Sequence, residues 1–278
     1  MLRTMVTATN TLNQLQHKLD LIGNNLANTN THGFKSSNAS FQELLYQQFN
    51  NDKADEAPRQ SPLGIRYGVG AALGQASMNS KVGTLQITNR DLDFALTKQR
   101  QYFNVLMPTE AGEKVAYTRQ GAFYVSPIDN GQLMLVTSEG YPVANAAGQP
   151  ITFADDVQSY FIQSNGTLGL KLNDGTTAEI ELGVTVIERP NLMEHLSGTY
   201  SVLPSNLAEL GVIENDAITN LQGAARSGIG MENNALESSN VDMQKEMTDL
   251  ITVQRNYQFN SRAITLADQM MGLINGIR

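Results

Sequence analysis

Few residues in this sequence have the chemistry and spacing that a metal site requires. The three histidines are His17, His32 and His195, and no two of them lie within one helical turn of each other. A zinc site needs three or four converging nitrogen, sulfur or carboxylate ligands, and the chain has no cysteine to supply sulfur. The sequence therefore predicts no metal ion and no cofactor.

Carboxylate pairs at short spacing raise two other possibilities, since paired acids act in glycosidases and oxygen ligands bind calcium. The pairs here lack the flanking aromatic residues of a sugar site and the ligand spacing of a calcium loop, and the chain has no tryptophan. No serine stands in a nucleophile elbow. We interpret the acids as solvated turn residues and predict no enzyme. The pairs are Asp91/Asp93, Glu110/Glu113 and Asp155/Asp156.

A glycine-rich stretch, Gly68 to Gly74 (GVGAALG), approaches the dinucleotide-binding fingerprint. It has three residues instead of two before its last glycine, and neither a strong strand before it nor a helix after it. We interpret its glycines as turn or strand residues. No nucleotide or other small-molecule substrate is predicted.

Composition excludes further classes. A formal charge of −8 and a pI near 4.9 argue against a nucleic-acid or anionic-membrane surface, which needs clustered Lys and Arg. The sequence contains no apolar run of about eighteen residues, so no membrane-spanning helix is predicted. The first residues lack the apolar stretch of a cleaved secretory signal, so we expect export, if it occurs, by another route.

The residues that organise the chain lie at its two ends, where apolar positions recur at steps of three and four, as in a heptad repeat. Glu246 and Asn260 interrupt the second stripe with polar side chains. We predict that these stripes form an assembly seam. The stripe of the last helix begins at Met243. The members of the seam are Met5, Ala8, Leu12, Leu15, Leu19, Ile22 and Leu26 in the first helix, and Leu250, Val253, Tyr257, Ile264, Ala267, Met271 and Ile274 in the last.

Helix boundaries follow from capping residues. The first helix is predicted from about Leu2 to Ala27, ending at the Asn-rich stretch Asn28 to Thr31. The last is predicted to begin at Ser239 or Asn240, with Asp242 in its first turn, and to run to about Asn275.

Two interpretations of the stripes are open. They form either an intramolecular helical hairpin packed on the rest of the chain or a surface completed by neighbouring subunits. Asn260 either fixes the helix register or lies on a wet rim.

The middle of the chain changes to a period of two, with turn signals at Asp129-Asn130-Gly131, Asn165-Gly166 and Asn173-Asp174-Gly175. Ala178, Ile180, Leu182, Val184 and Val186 alternate with Glu179, Glu181 and Thr185, which predicts a half-buried strand or bent strand pair. Before this region, Phe41, Leu44, Leu45 and Phe49 predict a short helix, and 50–62 predicts a mobile connector.

The predicted fold is α+β and mainly β. The helices of both termini (1–49 and 236–278) pair as a coiled-coil-like base. A connector with extended segments (50–83) leads to a central antiparallel β domain (84–190), and a return segment (191–235) leads back.

Several motifs in chain order carry a resemblance to a known family. Ile22 to Lys35 (IGNNLANTNTHGFK) and Leu236 to Asp242 (LESSNVD) resemble the N- and C-terminal signatures of the bacterial flagellar basal-body rod and hook proteins. Glu246 to Ile251, Gln254 to Tyr257 and four motifs in the middle of the chain fit the same pattern. The signature residues are Asn24, Asn25, Leu26, Ala27, Asn28, Gly33, Phe34, Ser239, Asn240, Val241 and Asp242; the middle motifs are Gly83 to Gln86, Leu92 to Leu96, Tyr117 to Gly121 and Gly140 to Val143.

The resemblance implies a non-enzymatic axial protein of the distal-rod type. Proteins of this family leave the cell through the flagellar export apparatus without a cleaved signal and polymerise with themselves and with other rod and hook proteins. The chain departs from the family at Lys98 to Phe103, where a Gly-rich turn is common, and at Asn233-Asn234, where a Gln-Gly pair is usual.

Three other functions are kept as alternatives. They are a hook-type axial subunit, an oligomeric surface or tail-fibre binding protein with coiled-coil ends, and a cell-wall hydrolase fused to rod-like ends.

Overall fold

The computed structural model describes residues 2–43, 47–49, 65–67, 70–109, 112–128, 131–163, 165–204, 206–207 and 211–276. The chain divides into two compact units. The first unit contains Met1–Leu26, Ser37–Ala76 and Asp242–Arg278, and the second contains Ala27–Ser36 and Ser77–Val241. The predicted connector over 50–62 lies outside the described residues.

Two long helices belong mainly to the first unit: α1 is Leu2–Ala27, and α3 is Met243–Gly276. The short α2, Glu214–Ala217, and the 3₁₀ turns Pro190–Leu192 and Gly223–Gly228 belong to the second. The strands of the first unit are β1 Ser37–Asn38, β2 Phe41–Glu43, β3 Gln47–Phe49, β4 Ile65–Tyr67 and β5 Ala71–Leu73.

The second unit holds the remaining strands. They are β6 Ser77–Met78, β7 Leu85–Ile87, β8 Phe94–Leu96, β9 Gln101–Thr109, β10 Gly112–Thr118, β11 Phe123–Ile128, β12 Gln132–Thr137, β13 Thr152–Ala154, β14 Val157–Ile162, β15 Thr167–Leu172, β16 Thr177–Glu181, β17 Val184–Ile187, β18 Glu194–His195, β19 Tyr200–Val202, β20 Ile218–Asn220, β21 Met231–Asn233 and β22 Ala235–Glu237.

Both terminal helices form as the stripes predict, but the start of α3 differs from the prediction. Asp242, which we placed in the first turn, is the capping residue: its Oδ1 accepts hydrogen bonds from the backbone N–H of Gln244 (3.1 Å) and Lys245 (3.2 Å). A carboxylate in this position satisfies N–H groups that the helix itself leaves unpaired. Ser239 and Asn240 precede the helix. Among the described helices, none is both long and apolar enough to span a membrane.

The short helix predicted from Phe41, Leu44, Leu45 and Phe49 is wrong. Residues on both sides of the undescribed 44–46 are strands, and Phe41 pairs with Leu73 in an antiparallel β2–β5 ladder. Partners distant in sequence thus take the backbone hydrogen bonds that a local helix would have used. Ala71–Leu73 of the glycine-rich stretch is therefore a strand, whereas Gly68 and Val69 are outside the described residues.

The second unit is built on a six-stranded antiparallel sheet with the strand order β18-β19-β10-β9-β17-β20. Two three-stranded sheets, β11-β12-β13 and β14-β15-β16, and the ladders β21–β8 and β22–β7 complete it. Its main core includes Phe94, Phe103, Phe123, Leu135 and Leu168, all fully buried. Residues 191–235 add strands β18 to β21 to this unit.

The alternation over 178–186, predicted as one half-buried strand or a bent pair, forms two successive strands, β16 and β17, which belong to different sheets. The half-exposed character predicted for this pattern is wrong at Thr185, which is fully buried, whereas Glu179 and Glu181 are exposed. Its hydroxyl lies 2.7 Å from Asn104 Oδ1. Strand β17 lies inside the six-stranded sheet, so a polar side chain there must find a partner within the protein.

Two departures from the family pattern coincide with unusual backbone. Arg100 has φ +61° and Asn234 has φ +55°, both in the left-handed region. Glycine adopts this conformation without a steric cost, and asparagine tolerates it better than most residues. Both residues therefore adopt, with a side chain present, a backbone conformation that favours glycine.

Candidate functional site

The two terminal helices share an apolar cluster in the first unit. Leu15, Ile22 and Val253 are nearly fully buried, with exposed fractions of 4%, 2% and 6%. Three partly buried residues pack against them and complete what we call the helix-pair cluster: Leu19, Leu250 and Tyr257. The described contacts thus bring six of the fourteen predicted seam residues together.

The other seam residues differ in how far they are covered. Ala267 is buried, and Ile274 is 60% exposed near the end of α3. The rest are half-buried: Met5, Ala8, Leu12, Leu26, Ile264 and Met271. The stripe is therefore continuous in sequence, but its central part is the most deeply packed.

A buried polar pair lies beside the helix-pair cluster. Asn25 is 1% exposed; its Nδ2 donates to Glu246 Oε1 (3.1 Å) and to the carbonyl of Ser37 (2.9 Å), and its Oδ1 accepts from the Ser37 N–H (3.0 Å). Burial raises the pKa of Glu246, and the hydrogen bond from Asn25 partly offsets this. The last turn of α1 therefore contacts the first turn of α3.

The sequence analysis singled out both residues of this pair but did not predict that they contact each other. Glu246 stood out as a polar residue in the stripe, and Asn25 as part of the N-terminal motif. Asn260, which we considered as a register residue, donates its side-chain amide to the carbonyl of Asn256 in its own helix (3.0 Å). The described polar contact between the helices is thus made by Asn25 and Glu246.

The polar side of α1 holds other parts of the first unit. Lys18 Nζ donates to the carbonyl of Ala39 (2.7 Å), and Gln14 Oε1 accepts from the N–H of Leu73 (2.9 Å). These side chains are four residues apart and share one face of the helix. Helix α1 is therefore tied to the strands between residues 37 and 76 by polar contacts, and to α3 mainly by apolar ones.

Helix α3 carries a second apolar surface, of which the sequence analysis noted only Met243, as the first residue of its stripe. Its C-terminal members lie roughly 125° around the axis from Ile264, Ala267 and Met271, at 100° per residue. We call it the exposed ridge. Its members and exposed fractions are Met243 48%, Met247 47%, Ile251 49%, Phe259 74%, Leu266 59%, Met270 45% and Leu273 70%.

Three charged side chains form a buried cluster in the second unit, which we call the charge cluster: Lys35, Arg119 and Glu237. Their side chains are 3%, 0% and 1% exposed. Lys35 Nζ and Arg119 Nε (2.6 Å) both donate to the Glu237 carboxylate. Burial, and then the positive charge of Arg119, lowers the pKa of Lys35 to about 8 despite the opposing attraction of Glu237.

Hydrogen bonds to the backbone satisfy the remaining donors of the charge cluster. The Arg119 guanidinium donates to the carbonyls of Leu96 (2.7 Å), Lys98 (3.0 Å) and Gln101 (2.9 Å). The Glu237 carboxylate also accepts from the N–H of Gly83 (2.7 Å). These distant segments thus meet at one carboxylate, which is how buried charges are tolerated in proteins.

Two motif glycines are required by close backbone approach at this site. Gly33 has φ +74°, and a Cβ there would lie 2.5 Å from the carbonyl carbon of Arg119; its N–H donates to the carbonyl of Glu237 (2.8 Å). A Cβ at Gly83 would lie 2.0 Å from the carbonyl oxygen of Ser238. Only glycine fits at either position.

The remaining signature residues have mainly structural contacts in the described chain. Asn240 joins three segments: its Oδ1 accepts from Ser36 N–H (2.8 Å), and its Nδ2 donates to the carbonyls of Asn79 (2.8 Å) and Lys81 (3.0 Å). Asn28 Oδ1 accepts from the Thr31 hydroxyl (3.2 Å). Phe34 is buried; Ser239 and Val241 are half-buried; Asn24 and Ala27 are exposed at the end of α1.

The candidate chemical residues do not converge in the described ranges. No group of three or more His, Asp or Glu side chains there could hold a metal ion. Asp93 is paired with Arg90 (2.9 Å), and His195 Nδ1 lies 3.1 Å from the Ser201 hydroxyl. Glu110 is outside the described residues.

Three family models match the chain in the same order as the motifs. They are described as flagella basal body rod protein over residues 5–35, flagellar hook protein FlgE/F/G D1 domain over 98–169, and flagellar basal body rod FlgEFG protein C-terminal over 232–277. These matches include α1 from Met5 to its end, strands β9 to β14 of the second unit, and all of α3.

Curated relatives match over the full length. The chain is 42% identical to the flagellar hook-basal body complex protein FlhP of Bacillus subtilis, with all of both chains covered. It is 33% identical to the flagellar basal-body rod protein FlgG of the same species, over 98% of this chain and 97% of the relative. It is 34% identical to FlgG of Caulobacter vibrioides, again with both chains fully covered.

Proposed function

The chain belongs to the flagellar basal-body rod and hook protein family, and from this we propose that it is a rod subunit that polymerises through its terminal helices. It is a structural axial subunit of the rod, located in the flagellar basal body. What we add is the assembly surface and how it works.

The exposed ridge of α3 is the observation that carries the proposal. Seven large apolar side chains, each between 45% and 74% exposed, follow one helix of a lone subunit. Exposed apolar side chains in such number on one helix indicate an interaction site or an aggregation hazard. Burial of this ridge against a neighbouring subunit would remove apolar surface from water. The association would then be stabilised by the hydrophobic effect, as the helix-pair cluster is within one chain.

The geometry of such a contact supports open polymerisation. The exposed ridge on one subunit does not need to meet the exposed ridge of the next, because a contact between two different surfaces repeats without closing and builds a helical filament. We propose that α1 and α3, paired as a coiled-coil-like base, form the contact layer of the rod. The predicted seam residues hold the pair together, and the exposed ridge binds neighbours.

Charge placed on the exposed ridge tests this proposal without disturbing the fold. Phe259 is 74% exposed, so Phe259→Asp should leave the free subunit as stable as the wild type. In an assembled interface the same carboxylate would be desolvated, which costs several kcal/mol. We expect cells with Phe259→Asp to be non-motile and to lack the rod structures distal to this subunit in isolated basal bodies.

The matched control is Ser261→Asp, which adds the same charge two residues away at an exposed polar position outside both apolar surfaces. It should leave motility unchanged. Wild-type swimming by the Phe259→Asp strain, with the variant present in its basal bodies, would refute the assembly role of the exposed ridge.

We also propose partners and a route. The partners are further copies of this chain and neighbouring rod and hook proteins, and the route is the flagellar export apparatus. The family matches at both termini and in the middle of the chain support this. The test is a strain that lacks the flagellar export apparatus. In such a strain we expect the subunit to stay in the cytoplasm.

A further inference from the structure

The exposed methionines in the described part of this chain belong to the exposed ridge. The chain has eleven methionines and neither cysteine nor tryptophan. Among the methionines whose side chains the structure describes, three are exposed, and all three belong to α3: Met243, Met247 and Met270. Thus the sulfur atoms that a water-borne oxidant reaches first lie on the surface proposed to bind the next subunit.

The neighbours of these methionines show what their oxidation would change. Met243 and Met247 are one turn apart and continue to Ile251, while Met270 lies between Leu266 and Leu273. Each thioether therefore contributes to apolar surface formed with branched aliphatic residues. A sulfoxide at the same position is polar and chiral, and it disrupts interfaces rich in methionine.

We propose that Met243, Met247 and Met270 form an oxidation-sensitive site through which peroxides block subunit addition, and this rests on the proposed function. The oxidant is hydrogen peroxide or another hydroperoxide. The thioether sulfur attacks one peroxide oxygen, and the sulfur–oxygen bond forms as the oxygen–oxygen bond breaks. Hydrogen peroxide releases water in this step, and an organic hydroperoxide releases the corresponding alcohol. Sulfur loses two electrons, peroxide gains them, and methionine sulfoxide reductases reverse the change.

Assembly and oxidation compete for the same surface. In a free subunit the three sulfur atoms are accessible, whereas in the polymer the neighbouring subunit covers them. Peroxide should therefore stop growth of new rods without dismantling finished ones. Met193 and Met231, which are 7% and 9% exposed in the core of the second unit, should react much more slowly than the three on α3.

The test compares purified full-length chains after hydrogen peroxide treatment. Peptide mass spectrometry locates the sulfoxides, and sedimentation measures the protein concentration at which polymer first appears. We expect sulfoxide at the three α3 positions before Met193 or Met231, and a rise of about tenfold in that concentration. Treatment with methionine sulfoxide reductases should restore assembly.

Two variants make the result specific. The triple variant Met243→Leu, Met247→Leu, Met270→Leu keeps the ridge apolar and should assemble equally well before and after peroxide. The double variant Met193→Leu, Met231→Leu alters only buried methionines and should stay as sensitive as the wild type. The inference would be overturned if wild type carrying the three sulfoxides assembled as well as untreated wild type. It would also be overturned if peroxide inhibited assembly of the triple variant as strongly as that of the wild type. Failure of untreated wild type to polymerise would instead overturn the proposed function beneath it.

Discussion

The two units of this protein differ in how completely their notable side chains find partners within the chain. In the second unit, the charge cluster is closed: Lys35, Arg119 and Glu237 are almost fully buried and find their partners within the unit. In the first unit, α3 has one apolar surface buried in the helix-pair cluster, and its second apolar surface, the exposed ridge, is exposed to solvent. The charged groups of the second unit are thus paired within it, whereas large apolar side chains of α3 in the first unit remain exposed.

The largest effect is expected from breaking the closed site. Glu237→Gln removes the carboxylate that accepts from both Lys35 and Arg119 and leaves two buried cations without a counter-charge. We expect a loss of about 3–5 kcal/mol in the free energy of unfolding, measured by denaturant unfolding of the purified chain. Glu232→Gln, at an exposed position on β21, is the control and should change stability by less than about 0.5 kcal/mol.

Backbone fit gives the second prediction. Gly33→Ala combines a left-handed φ with a Cβ 2.5 Å from the Arg119 carbonyl carbon, so we expect a loss of about 2–3 kcal/mol. The matched control is Gly23→Ala in α1, where a Cβ meets nothing within 4 Å. That change should stabilise the helix by about 0.5–1 kcal/mol. Thermal unfolding measures the change in stability for each variant. If Gly33→Ala and Gly23→Ala changed stability equally, glycine would not be required at position 33 for close backbone packing.

The third prediction concerns the alkaline stability of the second unit. Because the pKa of Lys35 is lowered to about 8, the folded chain releases a proton between pH 8 and 10 that the unfolded chain still holds. Stability should therefore rise with pH across this window, by about 2 kcal/mol. Lys35→Met should remove the rise. Measurements stop at pH 10, since burial raises the pKa of Tyr102, Tyr117 and Tyr200 to about 12 and reverses the slope above that pH.

The smallest effect has the opposite sign and belongs to the first unit. Burial raises the pKa of Glu246, so the folded chain keeps a proton that the unfolded chain loses as pH rises from mild acid. The contribution to stability is complete below the unfolded pKa and is lost as pH rises through the folded one. Helix content followed by circular dichroism should show this slope in the wild type. A Glu246→Gln chain that kept the same slope would contradict the assignment.

Local patterns were enough to predict some elements of this fold. The heptad stripes located α1 and α3 because helix formation depends on neighbours three and four residues away. The turn signals and the period of two located β14 to β17. The pattern over Phe41 to Phe49 failed because Leu73, distant in sequence, pairs with Phe41.

The candidate sites were harder to predict than the elements. Asn25 and Glu246 are 221 residues apart, and Lys35 and Glu237 are 202 apart, so no local spacing connects them. The sequence did not predict the exposed ridge because α3 has apolar residues on more than one face. A search for one stripe at steps of three and four residues selects only one of these faces. Which face is covered within the chain depends on tertiary packing.

The central claim is that the exposed ridge becomes buried between subunits. Since the chain has no cysteine, Leu266→Cys introduces a unique thiol on the ridge, and Ser261→Cys introduces one at an exposed polar position of the same helix. The decisive measurement is the rate at which a thiol reagent labels each variant as free subunit and as assembled polymer. We predict that Cys substituted for Leu266 reacts freely in the subunit and is protected in the polymer, while the Ser261 variant reacts in both. Equal labelling of the Leu266 variant in the two states would contradict the account.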